Sequence, residues 1–486
     1  MAEAVLAAPA QNYIAGEWSP SASGDTVADL NPARMSEVLA QATSSTAREA
    51  TAAVDAAALS LREWRNVPAP QRGDVVRRTA DVMESRRDAL ARLITREEGK
   101  TLPESLTEID RAIANMRFAA GQGARLNGET IPSSQRDTFI YTVREPIGVV
   151  AAITPWNFPV AIPVWKMAPA LVAGCTVVFK PASLTPLCAA EVVRCFVDAG
   201  LPRGVLNMVL GRGSVIVDTI VDDPRVAGIT FTGSSEVGRR LYTQAAKRLC
   251  KVQLEMGGKN AVIVAADADL EKAAESAANG AFMSTGQRCT ATSRAIVVAS
   301  VLEEFTALLS ARAQAMKVGD GLLAGVAVGP LVDDAARQKV HETIAAARRQ
   351  GVEVLLDGSA CALTEGYFVA PTIFANVDPR MSVARDEIFG PVLSLIPAAS
   401  TADALLKANA VDYGLSSSLY TRDLATAMRY VNENEAGMLH VNLPTVGGEP
   451  QAPFGGIKES GFGERECGTA AFDFFTEEKV VYVGYA

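Results

Sequence analysis

The sequence predicts an α/β protein: two parallel-sheet units in series with a small β element beside them. Three observations carry this. From Ile147 to Thr232 short apolar bursts alternate with helical segments, the spacing of βαβ units. A second alternating set begins at Ala261 and runs to about Tyr420. The chain has 486 residues, enough for two or three cores at about 150 residues per domain.

Residues 12–32 read as short strands and turns, with Gly and Asn-Pro as punctuation. Amphipathic helices follow over Thr46–Trp64 and Gln71–Glu98. A third opens at Thr101, where Thr-Leu-Pro-Glu supplies an N-cap, an early Pro and a capping-box Glu104. Asp137–Val149 reads as a hairpin arm. The first alternating set places strands at Ile147–Thr154, Thr176–Lys180, Val205–Leu210 and Gly228–Thr232. Its helices fall at Ala161–Ala173, Leu187–Ala199 and Ser214–Val221. In the second set the strand Ala261–Ala265 leads to helices near Leu270–Met283, Val301–Met316, Asp333–Gln350 and Ala402–Val411. A short β tail spans Lys479–Val483.

Composition excludes several classes. With 49% hydrophobic and 21% charged residues the chain is globular, and a net charge of −9 gives no footprint for nucleic acid or an acidic membrane. The only two His, His341 and His440, leave little for a His-built metal site or a Cys-His pair. Seven scattered Cys without a CxxC point to a reducing, cytoplasmic setting and to no structural metal. Met1–Gln11 lacks the basic start and apolar core of an export signal. Ile147–Trp165 carries no charge, but Pro155, Pro159 and Pro163 with Asn157 between them rule out a lipid-exposed helix.

Three segments have the residue types for chemistry. Cys289 lies among small polar residues where a helix should give way to a strand, and Arg288 beside it would favour a thiolate if its charge points inward. A lone Cys is more often a small buried hydrophobe, so both readings stand. Glu255, beside Gly257 and Gly258, is either a solvated carboxylate or a general base at a sharp turn. Asn157 follows a strand in TPWNFP and is either part of a rigid turn or a neutral donor to an oxyanion. For phosphate, Gly211-Arg-Gly213 is a weak fingerprint. Better is FTGSSEVG, where a strand ends at Gly233 and a helix begins at Ser234 or Ser235.

Together these segments resemble the aldehyde dehydrogenase superfamily, which carries TPWNFP, FKPAS, FTGSSEVG, LEMGGKN, GQRC, EIFGP and PFGGIKESG in this order. The resemblance runs from about Tyr13 to Tyr482. It implies two Rossmann-like parallel-sheet domains and a small β oligomerisation element. The dinucleotide-binding domain would take residues 1–125 and 146–255, the catalytic domain 256–455, and the arm and tail 126–145 and 456–486. Cys289 then matches the nucleophile, Asn157 the oxyanion donor, Glu255 the general base and Glu466 a secondary carboxylate of the proton path. Lys180 and Glu387 match ribose-holding residues, Trp156 and Ser234 surround the pyrophosphate, and Phe389 packs near the nicotinamide. Ile153, Thr154, Pro155, Ala182, Ser183, Gly213, Phe231, Gly233 and Gly257 complete the implied cofactor set. Trp165, Thr290 and Phe454 join Arg111 and Arg288 as implied substrate contacts.

The resemblance also implies finer expectations. Members selective for NAD commonly place a Glu three residues after the ribose-binding Lys. Here Ser183 stands there, so NADP should be accepted at least as well as NAD. The tail HVNLPTVGGEPQAPFGG is most similar to dehydrogenases of 2-oxoglutarate semialdehyde (2,5-dioxopentanoate), and succinate or glutarate semialdehyde is the alternative. Such substrates carry a carboxylate, for which Arg111 is the candidate cation and Arg288 the reserve. The competing reading makes Arg111 a surface residue paired with Glu108. Glu255 argues against a CoA-acylating enzyme, and the retained nucleophile and base argue against a non-catalytic relative. A thiol-dependent esterase would need no dinucleotide site. An unpaired arm and tail predict a homodimer or homotetramer.

Overall fold

The computed structural model describes residues 10–485, so most of the Ala-rich opening lies outside the described residues. Two sheets dominate. In the first, of eight strands, five run parallel in the order Leu206–Met208, Thr176–Lys180, Val149–Ile153, Val226–Thr232 and Lys251–Glu255. Val149–Ile153 and Thr176–Lys180 are buried at every position, which is why they read as continuous apolar runs and not as alternating ones. The second sheet has seven strands in the order Glu353–Leu356, Thr372–Ala375, Val392–Ala398, Thr292–Val298, Asn260–Val264, Ser416–Tyr420 and Met438–Val441. It is parallel except at its first pair.

Register sets the ends of the first sheet level. Ile153 pairs with Lys180 and with Phe231, and Thr232 pairs with Glu255. The loops leaving these strands therefore open along one edge, where open α/β sheets bind ligands. The Ala161–Ala173 helix, buried along its whole length, fills the space between this sheet and the helices Ala69–Ser85 and Leu102–Gln122. Gly174, at φ 102°, turns the chain from that helix into the next strand. The Arg72 guanidinium lies against it and binds the carbonyls of Val172 and Ala173.

Several expectations change. Gln71–Glu98 is two helices, Ala69–Ser85 and Arg87–Glu97, parted at Arg86. Arg34–Thr43 forms an unforeseen strand paired with Thr26–Asn31, and the second alternating set continues past Tyr420 to Val441. The arm and tail are not left unpaired. Thr138–Pro146 pairs antiparallel with Thr476–Gly484 over their whole length. Gly461–Phe462, within the expected tail segment, is instead an edge strand of the first sheet against Leu254 and Glu255.

Candidate active site

Cys289, Glu255, Glu466 and Thr290 line one cavity of about 410 Å³, together with Trp165, Phe454, Arg111 and Arg288. The nucleophile candidate sits where the Leu270–Phe282 helix ends. Ser284 and Thr285 there take φ of 48° and 56°, a costly conformation for such residues that the surroundings must impose. Glu104 imposes it: Oε1 accepts from the Ser284 N–H at 2.6 Å, while Oε2 closes the Thr101 capping box. Cys289 then occupies a turn in which the Ala291 N–H donates to the Arg288 carbonyl at 3.1 Å.

Burial pushes the Cys289 thiol up to about 12, and the carboxylates of Glu387, Glu255 and Glu466 add to it. Arg288 does not offset this. Its guanidinium is bound to Glu104 Oε1 at 2.9 Å and to Ser284 Oγ, so the inward charge that would favour a thiolate is already neutralised.

Glu255 ends its strand buried at 3% exposure, accepting from the Gly456 N–H at 3.2 Å. A Cβ at Gly455 would run into its carboxylate, so a side chain is excluded there. Burial, then repulsion from Glu466, holds the Glu255 carboxyl well above the ordinary range, against the pull of Lys166. Glu466 pairs with Lys166, whose Nζ also reaches Thr230 Oγ1 at 3.0 Å. Lys166 escaped the sequence reading. A single charge in an otherwise apolar buried helix was the signal available.

Asn157 is buried, and its Nδ2 donates to the Gln287 carbonyl at 2.9 Å, tying the oxyanion loop to the nucleophile loop. Its own carbonyl accepts from Lys100 Nζ at 2.6 Å. Glu108 pairs with Lys100 at 2.7 Å and caps the N–H groups of Val160 and Ala161. The sequence offers Glu108 only as a partner for Arg111 and gives Lys100 no role, because the loop that the two hold lies 52 to 57 residues further along the chain.

Arg111 is not the surface residue of the competing reading, since Glu108 is spent elsewhere. Its guanidinium stacks over the Trp165 ring at 5.2 Å and has no ion-pair partner among the described residues. Arg111 Nε and Trp165 Nε1 are both buried without a hydrogen-bond partner. Such orphan donors are rare away from ligand sites.

The remaining candidates gather on the open edge of the first sheet. Ile153, Thr154, Pro155 and Trp156 leave one strand, and Lys180, Ala182 and Ser183 leave its neighbour. Ser183 Oγ donates to the Gly211 carbonyl at 2.9 Å, which joins that loop to Gly213 at the start of the Gly213–Asp222 helix. Phe231 and Gly233 lead to Ser234, the N-cap of the Ser235–Ala246 helix. From the second unit, Phe389 meets Trp156 edge-on at 5.6 Å, and Glu387 Oε1 accepts from the Gly258 N–H at 3.0 Å beside Gly257. A dinucleotide fits this edge on three observations. Among the described residues Thr154 Oγ1 is buried without a partner and the Lys180 ammonium has no carboxylate, and a helix N-terminus faces the same edge. Burial alone brings Lys180 down to about 8.

A Cys and a carboxylate at the seam of two α/β sheets, beside a nucleotide-type cleft, define a covalent-thiol dehydrogenase class. The aldehyde dehydrogenase family model matches residues 18–481, and this chain belongs to that family. It is 46% identical to an alpha-ketoglutaric semialdehyde dehydrogenase of Bacillus subtilis, over 97% of each chain. Among solved structures, an E. coli NADP-dependent enzyme matches with a TM-score of 0.95 at 38% identity over 98% of each chain. A betaine aldehyde dehydrogenase of Staphylococcus aureus in complex with NAD+ matches with a TM-score of 0.96 at 34% identity, over 98% of this chain and 95% of that one. Among the described residues no helix is long and apolar enough to cross a membrane, and no cluster of metal-ligand side chains occurs.

Proposed function

We propose that this protein oxidises an acidic semialdehyde, of the 2-oxoglutarate semialdehyde type, to the carboxylic acid through a thioester on Cys289. The observation that carries it is one cavity lined by Cys289, Glu255 and Glu466 together with Arg111, which has no ion pair among the described residues. NAD or NADP, when bound, supplies the hydride acceptor. Lys180 and Glu387 would hold its riboses, and Trp156 and Ser234 its pyrophosphate.

The chain's own residues do the rest. Cys289 loses its proton to solvent and attacks the aldehyde carbon, and the Asn157 amide with the Cys289 N–H receives the developing oxyanion. Glu255, with its raised proton affinity, removes a proton from the water that hydrolyses the thioester. The Glu466 carboxylate, held by the Lys166 ammonium, can take that proton onward. Arg111 meets the distal carboxylate, for which a guanidinium fork is suited. The Bacillus relative named for this semialdehyde supports the choice of substrate.

Two finer readings follow. Ser183 is exposed and neutral, so no carboxylate repels a 2′-phosphate near Lys180, which favours acceptance of NADP. Val480, Tyr482 and Val483 stay exposed on the tail strand, itself the edge of its small sheet, which supports a homodimer or homotetramer. The seven cysteines are all free, in keeping with a cytoplasmic protein. The deciding experiment is an aldehyde panel of acidic, aliphatic and aromatic members with both dinucleotides. Acidic semialdehydes should give the highest kcat/KM, and a preference for long aliphatic aldehydes would overturn the assignment. Light scattering should give a dimer or tetramer, and a stable monomer at micromolar concentration would refute the assembly.

A further inference from the structure

Three successive backbone carbonyls follow the nucleophile's Cα: those of Cys289, Thr290 and Ala291. Asn260 Nδ2 donates to the Cys289 carbonyl at 2.8 Å and to the Ala291 carbonyl at 2.8 Å. Thr445 Oγ1 donates to the Thr290 carbonyl between them at 2.9 Å. Both side chains are buried, at 3% and 0% exposure. Neither is free to turn. Asn260 Oδ1 accepts from the Ser416 N–H at 3.0 Å, which fixes which end of the amide faces the turn. The Thr445 backbone carbonyl accepts from Ser416 Oγ at 2.7 Å. Gly258 leaves the room: a Cβ there would lie 2.8 Å from both the Cys289 carbonyl oxygen and Asn260 Oδ1.

We infer that Asn260 and Thr445 are positioning residues for the nucleophile, acting as a clamp on the peptide planes that aim Cys289. Fixing the plane that leaves Cys289 sets ψ at that residue, and the 288–291 turn sets the plane that enters it. Together they direct both the Sγ and the N–H that faces the oxyanion. Neither residue touches the cavity, so neither contributes binding. An error of about 1 Å at reacting atoms costs on the order of 10²-fold in rate. The inference rests on Cys289 being the nucleophile.

The test compares Asn260→Ala, Thr445→Val and the double variant with the intact protein. In each, kcat for the acidic semialdehyde should fall about 10- to 100-fold, while KM and the dissociation constant for the dinucleotide stay within about twofold. The double variant should lose little more than the worse single one, because each loosens the same turn. Thr445→Val is nearly isosteric and serves if Asn260→Ala does not fold. Unchanged kcat in the folded variants, or independent multiplicative losses, overturns the clamp. Cys289→Ala run alongside keeps the two claims apart. If that variant still turns over, the nucleophile assignment fails; if it is dead while Thr445→Val is fully active, only the clamp fails.

Discussion

Two groups of residues at the cavity treat charge in opposite ways. Around Cys289 the ionisable groups are paired or crowded: Glu466 holds Lys166, burial and Glu466 raise the proton affinity of Glu255, and the Cys289 thiol is pushed up to about 12. Of the two arginines, Arg288 is neutralised by Glu104, whereas Arg111 has no ion pair among the described residues and feels Glu449 only as a neighbouring charge. Burial even lowers the Arg111 guanidinium from its usual value. The difference separates two environments. Around Cys289 the charges answer one another within the protein, and at Arg111 a guanidinium with its Nε buried has no such ion-pair partner among the described residues.

Removing the Cys289 thiol should do most. Cys289→Ala is expected to lower kcat by at least about 10⁴-fold with dinucleotide affinity within about twofold, read by steady-state kinetics and fluorescence titration. Glu255→Gln should lower steady-state turnover by about 10²- to 10⁴-fold yet leave a pre-steady-state burst of reduced dinucleotide. A lost burst would place Glu255 before the hydride step.

Arg111→Met should raise KM for the acidic semialdehyde about 10- to 100-fold, the value of a charge-assisted contact, and leave a neutral short aldehyde within about twofold. Arg288→Met sharpens the contrast. It strands Glu104 and should cost about 3 kcal/mol in chemical denaturation, with both aldehydes affected alike. Equal effects of Arg111→Met on both aldehydes would return that residue to a structural role. The smallest expected effect is that of Arg111→Met on reactivity toward iodoacetamide. With the thiol near 12, alkylation of Cys289 should rise about tenfold per pH unit between pH 7 and 10 and change little in Arg111→Met. A plateau below pH 9 would mean a thiolate is already stabilised.

Much of this was legible in the chain. Both parallel sheets could be read from strand and helix spacing, and Thr176–Lys180 and Ala161–Ala173 fall where the pattern puts them, because an all-buried strand or helix writes its length in apolar residues. Glu255 and Asn157 stood out as polar residues close to Gly or Pro at element ends, and Cys289 as a thiol among small polar residues where a helix gives way to a strand. Lys166, Lys100 and Glu108 were not, since each matters through a partner brought near only by folding: Lys166 meets Glu466 from the other end of the chain. Arg111 shows the limit in another form. A helix position outside every motif gave only a candidate, and weighing it against Arg288 needed to know which cation Glu104 answers.

The short strand Gly461–Phe462 gives the protein an order of readiness. It seals the sheet that carries Glu255, and the chain just beyond it delivers Glu466 to Lys166. A polypeptide emerging from the ribosome thus carries Lys166, Glu255 and Cys289 long before it carries Glu466. Until that last segment docks, the Lys166 ammonium waits without its carboxylate, and a chain truncated before it would leave a buried positive charge without its ion-pair partner.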